Sequence, residues 1–140
     1  MTAQWFTPAH ITIDTALGLV RSAIEEGGRA GVRAVVTVVD PSLAQVAFGR
    51  ADGATPHSVE TSRRKAVTAA STRRASGWME GDFATQAPLG TGMLLTNIAG
   101  GIPIAFDGTV VGGLGVAGGT PAQDAEIALA VLAAAGADAY

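Results

Sequence analysis

The sequence predicts an α+β domain in the order α-β-β-α-(α)-β-β-β-α, with an antiparallel sheet covered by helices. Three observations carry this: helical periodicity toward both ends, a short β-branched run after the first helix, and an Asp-Gly hairpin signal in the last third. The first helix is expected from about residue 12 to 26, because Ile13, Leu17, Val20 and Ile24 recur at intervals of four, three and four. Thr12 reads as its N-cap, and Gly27-Gly28 as its stop. Residues 34–40, a short β-branched run with four Val and a Thr, read as a buried strand. Pro41-Ser42 turns the chain, and 43–49 returns antiparallel, since the connection is too short for a crossover. A polar loop leads into a second helix over 57–72, and 76–89 reads as a short helix and a loop.

The closing third is expected to hold a hairpin, 102–106 and 109–116, around Asp107-Gly108, which supplies the positive φ angles of a type I′ turn. Pro103 assigns its strand to an edge or its first residue. Gly112, Gly113 and Gly115 leave room for another backbone or a ligand to approach. After Gly118-Gly119, Thr120 caps a last helix, with Pro121 in its first position and Asp124 and Glu126 near its positive end. With no linker or repeat, residues 1–140 read as a single domain.

Composition narrows the function. The chain carries a net charge of −3, no cysteine and only 15% charged residues, with 48% hydrophobic. That excludes a disulfide framework, a thiolate metal site and a cysteine nucleophile, and it argues against a general nucleic-acid binder. No apolar run of about 18 residues spans a membrane. No leader pattern opens the chain, so a mature cytoplasmic protein is expected. With 28 alanines beside 19 glycines, close packing of helices, sheet and subunits is expected.

Few residues offer chemistry. Gly113, Gly115 and Gly118 fit G-x-G-x-x-G, but without Gly-Lys-Ser/Thr and inside a hairpin strand, so a structural role is favoured over nucleotide binding. An anion at the Gly118-Gly119-Thr120 helix start is the functional alternative. His10 and His57 form no close ligand pair, and there is no G-x-S-x-G elbow. If haem binds, the axial candidates are these two, Tyr140, Met1, Met79 and Met93. On the second helix Arg63, Arg64 and the single lysine, Lys65, point in three directions. The plainer reading of these three is a solvated charged helix face, which their spacing favours; the functional alternative is that Lys65 pairs with Asp52 or Asp124, or holds a carboxylate ligand.

Arg50-Ala51-Asp52-Gly53-Ala54, Ser58 and Lys65-Ala66-Val67-Thr68-Ala69-Ala70 resemble a signature of the GlcG/HbpS family. So do Gly100-Gly101-Ile102-Pro103-Ile104, Asp107-Gly108, the run 111–119 and Gln123-Asp124. This haem-degrading domain family is related to the C-terminal domain of PduO-type cobalamin adenosyltransferases. The resemblance covers nearly the whole chain. It implies a profilin/PAS-like fold, with a five-stranded antiparallel sheet flanked by helices, and a homo-oligomer. The chain departs from the family pattern at Ala51, at Ala117 and over 71–76, where Arg73 and Arg74 stand.

From the resemblance follows an expected small-ligand-binding domain for haem or a related tetrapyrrole. Its pocket is expected between the second helix and the glycine-rich strands, with Arg64, Lys65, His57, Gly118 and Gly119 binding the ligand and His57 ligating the iron. The alternative is a cofactor-independent isomerase, cyclase, lyase or hydratase acting on a small carboxylate- or carbonyl-bearing metabolite, with Lys65, Asp52 and Asp124 catalytic. A third reading, a purely structural oligomer, requires that no concave polar site exist. The expected partners are a small molecule and copies of the chain itself, with neither nucleic acid nor membrane.

Overall fold

A computed structural model describes residues 2–140. The elements run α1 Ile13–Arg29, β1 Val35–Val39, β2 Gln45–Arg50, α2 Ser58–Thr72, α3 Phe83–Gly90, β3 Gly101–Phe106, β4 Thr109–Ala117 and α4 Pro121–Ala134. The strands form one antiparallel sheet in the order β2-β1-β4-β3. The α+β class is as expected, but the described residues hold a four-stranded sheet and not the expected five-stranded one. The last third contributes only its hairpin. Ahead of it, Met93, Leu94 and Leu95 look strand-like, yet Gly92 and Met93 take φ of 63° and 65°, which a ladder does not accept. The amides of Leu95 and Thr96 are instead bonded to the hydroxyls of Thr91 and Thr68.

Local chemistry explains the rest. Asp107 and Gly108 take φ of 52° and 79°, as a type I′ turn requires, and Pro103 sits on the edge strand β3. Thr120 and Gln123 form a capping box at α4, with Pro121 just inside. In α1, Thr12 caps Thr15, but the buried face is Ala16, Leu19, Val20, Ala23 and Gly27, leaving Ile13 and Leu17 exposed. Gly27-Gly28 does not stop the helix. Gly27 is a packing residue, since a Cβ there would come 3.0 Å from the Ala34 Cβ, and the chain turns only at Gly31, φ 74°.

Helices α1 and α4 pack together on one face of the sheet, over a core that includes Leu19, Val36, Val38, Ile104, Leu114, Val116, Ile127 and Val131. Helix α2 covers the other face above Val39 with its own Ala66, Val67 and Ala70. It lies almost backbone to backbone on the sheet. A Cβ on Gly101, Gly113 or Gly115 would overlap the carbonyl oxygens of Lys65, Ala66 and Ser62 respectively. The glycine-rich strand is thus a bed for a helix, which accounts for its glycines without a nucleotide. A buried hydrogen bond of 2.8 Å between Thr37 Oγ1 and Ser62 Oγ completes the contact.

Gly115→Ala is expected to lower unfolding stability by about 1–3 kcal/mol by overpacking. Gly18→Ala, on the open side of α1 with nothing within 4 Å of the new methyl, should raise it by about 0.5–1 kcal/mol. Urea midpoints of the two variants check both.

Candidate functional site

The chemistry gathers where the N-terminal ends of α2 and α4 meet the end of β4. Lys65, on α2, is 1% exposed. Its chain passes Gly100, which has φ 126° and whose Cβ would come 2.8 Å from Nζ, so the missing side chain makes the passage. Nζ donates to the Val116 carbonyl at 2.8 Å and to Asp124 Oδ2 at 2.8 Å. Asp124 Oδ1 accepts from the Gly119 amide at 2.8 Å. The pair therefore ties α2 on one face of the sheet to α4 on the other. Burial pushes the Lys65 ammonium below its ordinary range, with Asp124 pulling the other way.

Beside the pair opens a hollow of about 290 Å³. Thr55, His57, Ser58 and Thr61 line one side, and Gly118, Gly119 and Pro121 the other, with Ile98 between. Thr55 Oγ1 and Ser58 Oγ are hydrogen-bonded at 2.6 Å. The first turns of two helices open into the hollow, and their partial positive charge favours an anionic or electron-rich group. A wider groove of about 430 Å³ between α1 and β2 is lined by Leu17, Val20, Ile24 and Phe48 with Arg21 and Glu25, and no helix N-terminus opens into it.

Of the residues expected to form the site, the structure brings together Lys65, Asp124, His57, Gly118 and Gly119. His57 precedes α2, is exposed, and has no hydrogen-bond partner for its ring among the described residues. Gly118 is fixed by packing as well, since a Cβ there would overlap the Arg33 carbonyl oxygen. Asp52 stands apart in the exposed turn after β2. Arg64 is also apart, bonded at 3.0 Å to Glu60, whose carboxyl Arg63 and Arg64 together lower to about 2.

The other axial candidates lie elsewhere. His10 stands 3.7 Å from Asp40. Met79 is buried, and its backbone is held by Asn97. Met93 and Tyr140 are exposed away from the hollow, and Met1 lies outside the described residues. Arg74 lies 3.8 Å over the Trp78 ring. Among the described residues no three His, Cys, Asp or Glu side chains cluster, and no helix is long and apolar enough to cross a membrane.

Sequence reasoning missed Thr55, Thr61 and Ile98 as parts of the site, and took Ser58 and Gly100 only as parts of a resemblance. Hydroxyls at 55, 58 and 61 recur every three residues into a helix start, a signal that was available. Outside the resemblance Gly100 carried no signal, because its role is to lack a side chain beside a lysine distant in sequence.

The family described as haem degrading protein HbpS-like matches residues 11–133. Protein GlcG of Escherichia coli K12 is 34% identical over 111 residues, covering 79% of this chain and 83% of that protein. The corrinoid adenosyltransferase PduO of Salmonella typhimurium LT2 is 30% identical over 134 residues. That match covers 91% of this chain but 40% of PduO, so the chain spans less than half of that relative. A crystal structure of a PduOC:heme complex superposes with a TM-score of 0.84 at 25% identity, covering 94% of this chain and 99% of that one.

Gly100→Ala forces a methyl against Lys65 Nζ at a backbone angle that disfavours any side chain, and should cost about 1–3 kcal/mol. Asp52→Ala, in the exposed turn, should stay within about 0.5 kcal/mol of the parent. Chemical denaturation of the two variants distinguishes them.

Proposed function

This chain belongs to the HbpS-like family, and from that premise we propose that it is a small-ligand-binding domain for haem or a related tetrapyrrole, working as a cytoplasmic homo-oligomer. The observation that carries the reading is His57, an imidazole without a partner among the described residues, on the rim of a hollow where two helix N-termini converge. The match to the PduOC:heme complex over most of the chain supports it.

The residues fit such a group. His57 would ligate the iron through a ring nitrogen as a neutral imidazole. Ala117, Gly118, Gly119 and Ile98 offer a small, apolar wall for a flat ring. Lys65 is engaged by Asp124 and Arg64 by Glu60, so carboxylates on the ligand would meet helix amides and the hydroxyls of Thr55 and Thr61. When bound, haem supplies a redox-active iron. A hollow of about 290 Å³ stands at the lower edge of small-molecule pockets, so a macrocycle would extend beyond one subunit toward a neighbour.

The size of the hollow and the Lys65–Asp124 pair in its wall favour a second reading, a cofactor-independent enzyme for a small carboxylate- or carbonyl-bearing metabolite. In that reading Lys65 polarises the anion and Asp124 exchanges protons with it. Asp52 would join only if its turn moved inward.

Haem titrated into the purified protein is expected to saturate at one per chain with a sharpened Soret band. His57→Ala should weaken binding at least tenfold, about 1.4 kcal/mol, and change the axial signature, while His10→Ala leaves both unchanged. An unsaturable, weak absorbance change would contradict the tetrapyrrole reading and leave the enzyme reading standing.

A further inference from the structure

Lys65 is the chain's single lysine, and stability alone does not require it where it stands. Well-packed apolar residues in place of a buried ion pair are often neutral or more stable. Lys65 and Asp124 are also not enclosed in the core, since both form part of the lining of the 290 Å³ hollow. The ammonium is incompletely held. Of its three N–H groups, one goes to the Val116 carbonyl and one to Asp124 Oδ2, both at 2.8 Å. No third acceptor lies within hydrogen-bond reach among the described residues. Asp124 is oriented to receive a proton, because the Gly119 amide holds Oδ1 at 2.8 Å while Oδ2 faces Nζ. Burial disfavours the charged form of Lys65 and so favours the free amine, which is the nucleophile. A desolvated amine with a carboxylate beside it, bordering a cavity, is equipped for imine chemistry.

The rest of the hollow selects the carbonyl compound. Its volume, at the lower edge of small-molecule pockets, suits a molecule of a few carbons. The first turns of α2 and α4 and the hydroxyls of Thr55 and Thr61 border the same space and favour a carboxylate. A carbonyl next to a carboxylate, as in a short 2-oxo acid, meets both sets of groups at once.

We propose that Lys65 is the nucleophile of an imine-forming site for a short 2-oxo acid. The inference rests on the enzyme reading of the hollow and not on haem. Lys65 passes a proton to Asp124 Oδ2, and the Nζ lone pair attacks the carbonyl carbon as the C=O π bond opens to an alkoxide. The alkoxide takes one proton from the nitrogen. Asp124 then returns its proton to the hydroxyl as the C–O bond breaks, and the nitrogen lone pair forms the C=N bond. The products are a protonated imine and one water.

Lys65 variants lose the pair that joins the layers, so the test uses the wild-type chain, whose only other amine is its terminal one. The protein, without haem, is incubated with pyruvate and sodium cyanoborohydride, which reduces a protonated imine and spares the ketone. Peptide mass mapping then places the adducts. One pyruvate adduct should form on Lys65, about tenfold faster than on the terminal amine. An ordinary lysine would be the slower of the two, because its higher pKa leaves less free amine at neutral pH. Acetone, the same ketone without the carboxylate, should label Lys65 about tenfold more slowly than pyruvate. Thr61→Phe, which puts a ring where Thr61 lines the hollow, should slow pyruvate labelling by a similar factor with the urea midpoint unchanged. Labelling of the terminal amine alone, or equal labelling in Thr61→Phe, overturns Lys65 as the nucleophile of this site. Equal labelling by acetone overturns the 2-oxo acid as its substrate class. Saturation-transfer NMR reads pyruvate binding separately. Pyruvate that binds but leaves Lys65 unlabelled overturns only the imine, and pyruvate that neither binds nor labels overturns the enzyme reading with it.

Discussion

The structure depends on a single buried ion pair. Lys65 and Asp124, each 2% exposed in the side chain, join the two helical layers around the end of the sheet. Removing two ions from water costs several kcal/mol apiece, and their attraction offsets this only with good geometry and satisfied hydrogen bonds. Here Val116 supplies a carbonyl to the ammonium, and Gly119 an amide to the carboxylate. The pair therefore sets more than a contact. It holds α4 by its first turn, fixes the Gly118–Gly119 corner, and forms the inner wall of the hollow that opens between the two helix ends.

The glycines make that geometry reachable. A lysine on α2 can span to α4 only because α2 lies directly on the strands, its carbonyls seated where Gly101, Gly113 and Gly115 have no side chains. The same closeness brings the N-terminal ends of α2 and α4 to a common rim, where the hydroxyls of Thr55 and Ser58, the ring of His57 and the β4–α4 corner face one space. Tight packing and an open site are thus two results of one sequence habit, small residues on facing surfaces. The exposed stretch around α3 is the counterpart: apolar side chains too large for such packing, left outside both cores.

Much of this was legible in the sequence, and what was not has physical causes. The hairpin turn, the Thr120 cap and the edge position of Pro103 are encoded by a few adjacent residues, so local rules recover them. The buried face of α1 was misassigned because Leu17 and Ile13 are larger than the alanines that actually meet the sheet. Gly27 read as a stop because its packing partner, Ala34, is set by tertiary contact. The fifth strand came from the resemblance and from no run of residues, and among the described residues the last third holds only the hairpin. Lys65 could be assigned to Asp52 or Asp124 from sequence alone, since neither stands at helical spacing from it, and only the route past Gly100 decides for Asp124. Arg64 was drawn into the site by adjacency, when its helical spacing from Glu60 already offered a partner outside it.

The central claim, that the Lys65–Asp124 pair holds the two layers and the hollow in place, is tested most directly by a double-mutant cycle with Lys65→Met and Asp124→Leu in urea unfolding. Each single change should cost about 3–5 kcal/mol by leaving a buried charge without its partner, and the double change should cost no more than either alone. Single costs under about 1 kcal/mol, or costs that simply add in the double variant, would contradict the account.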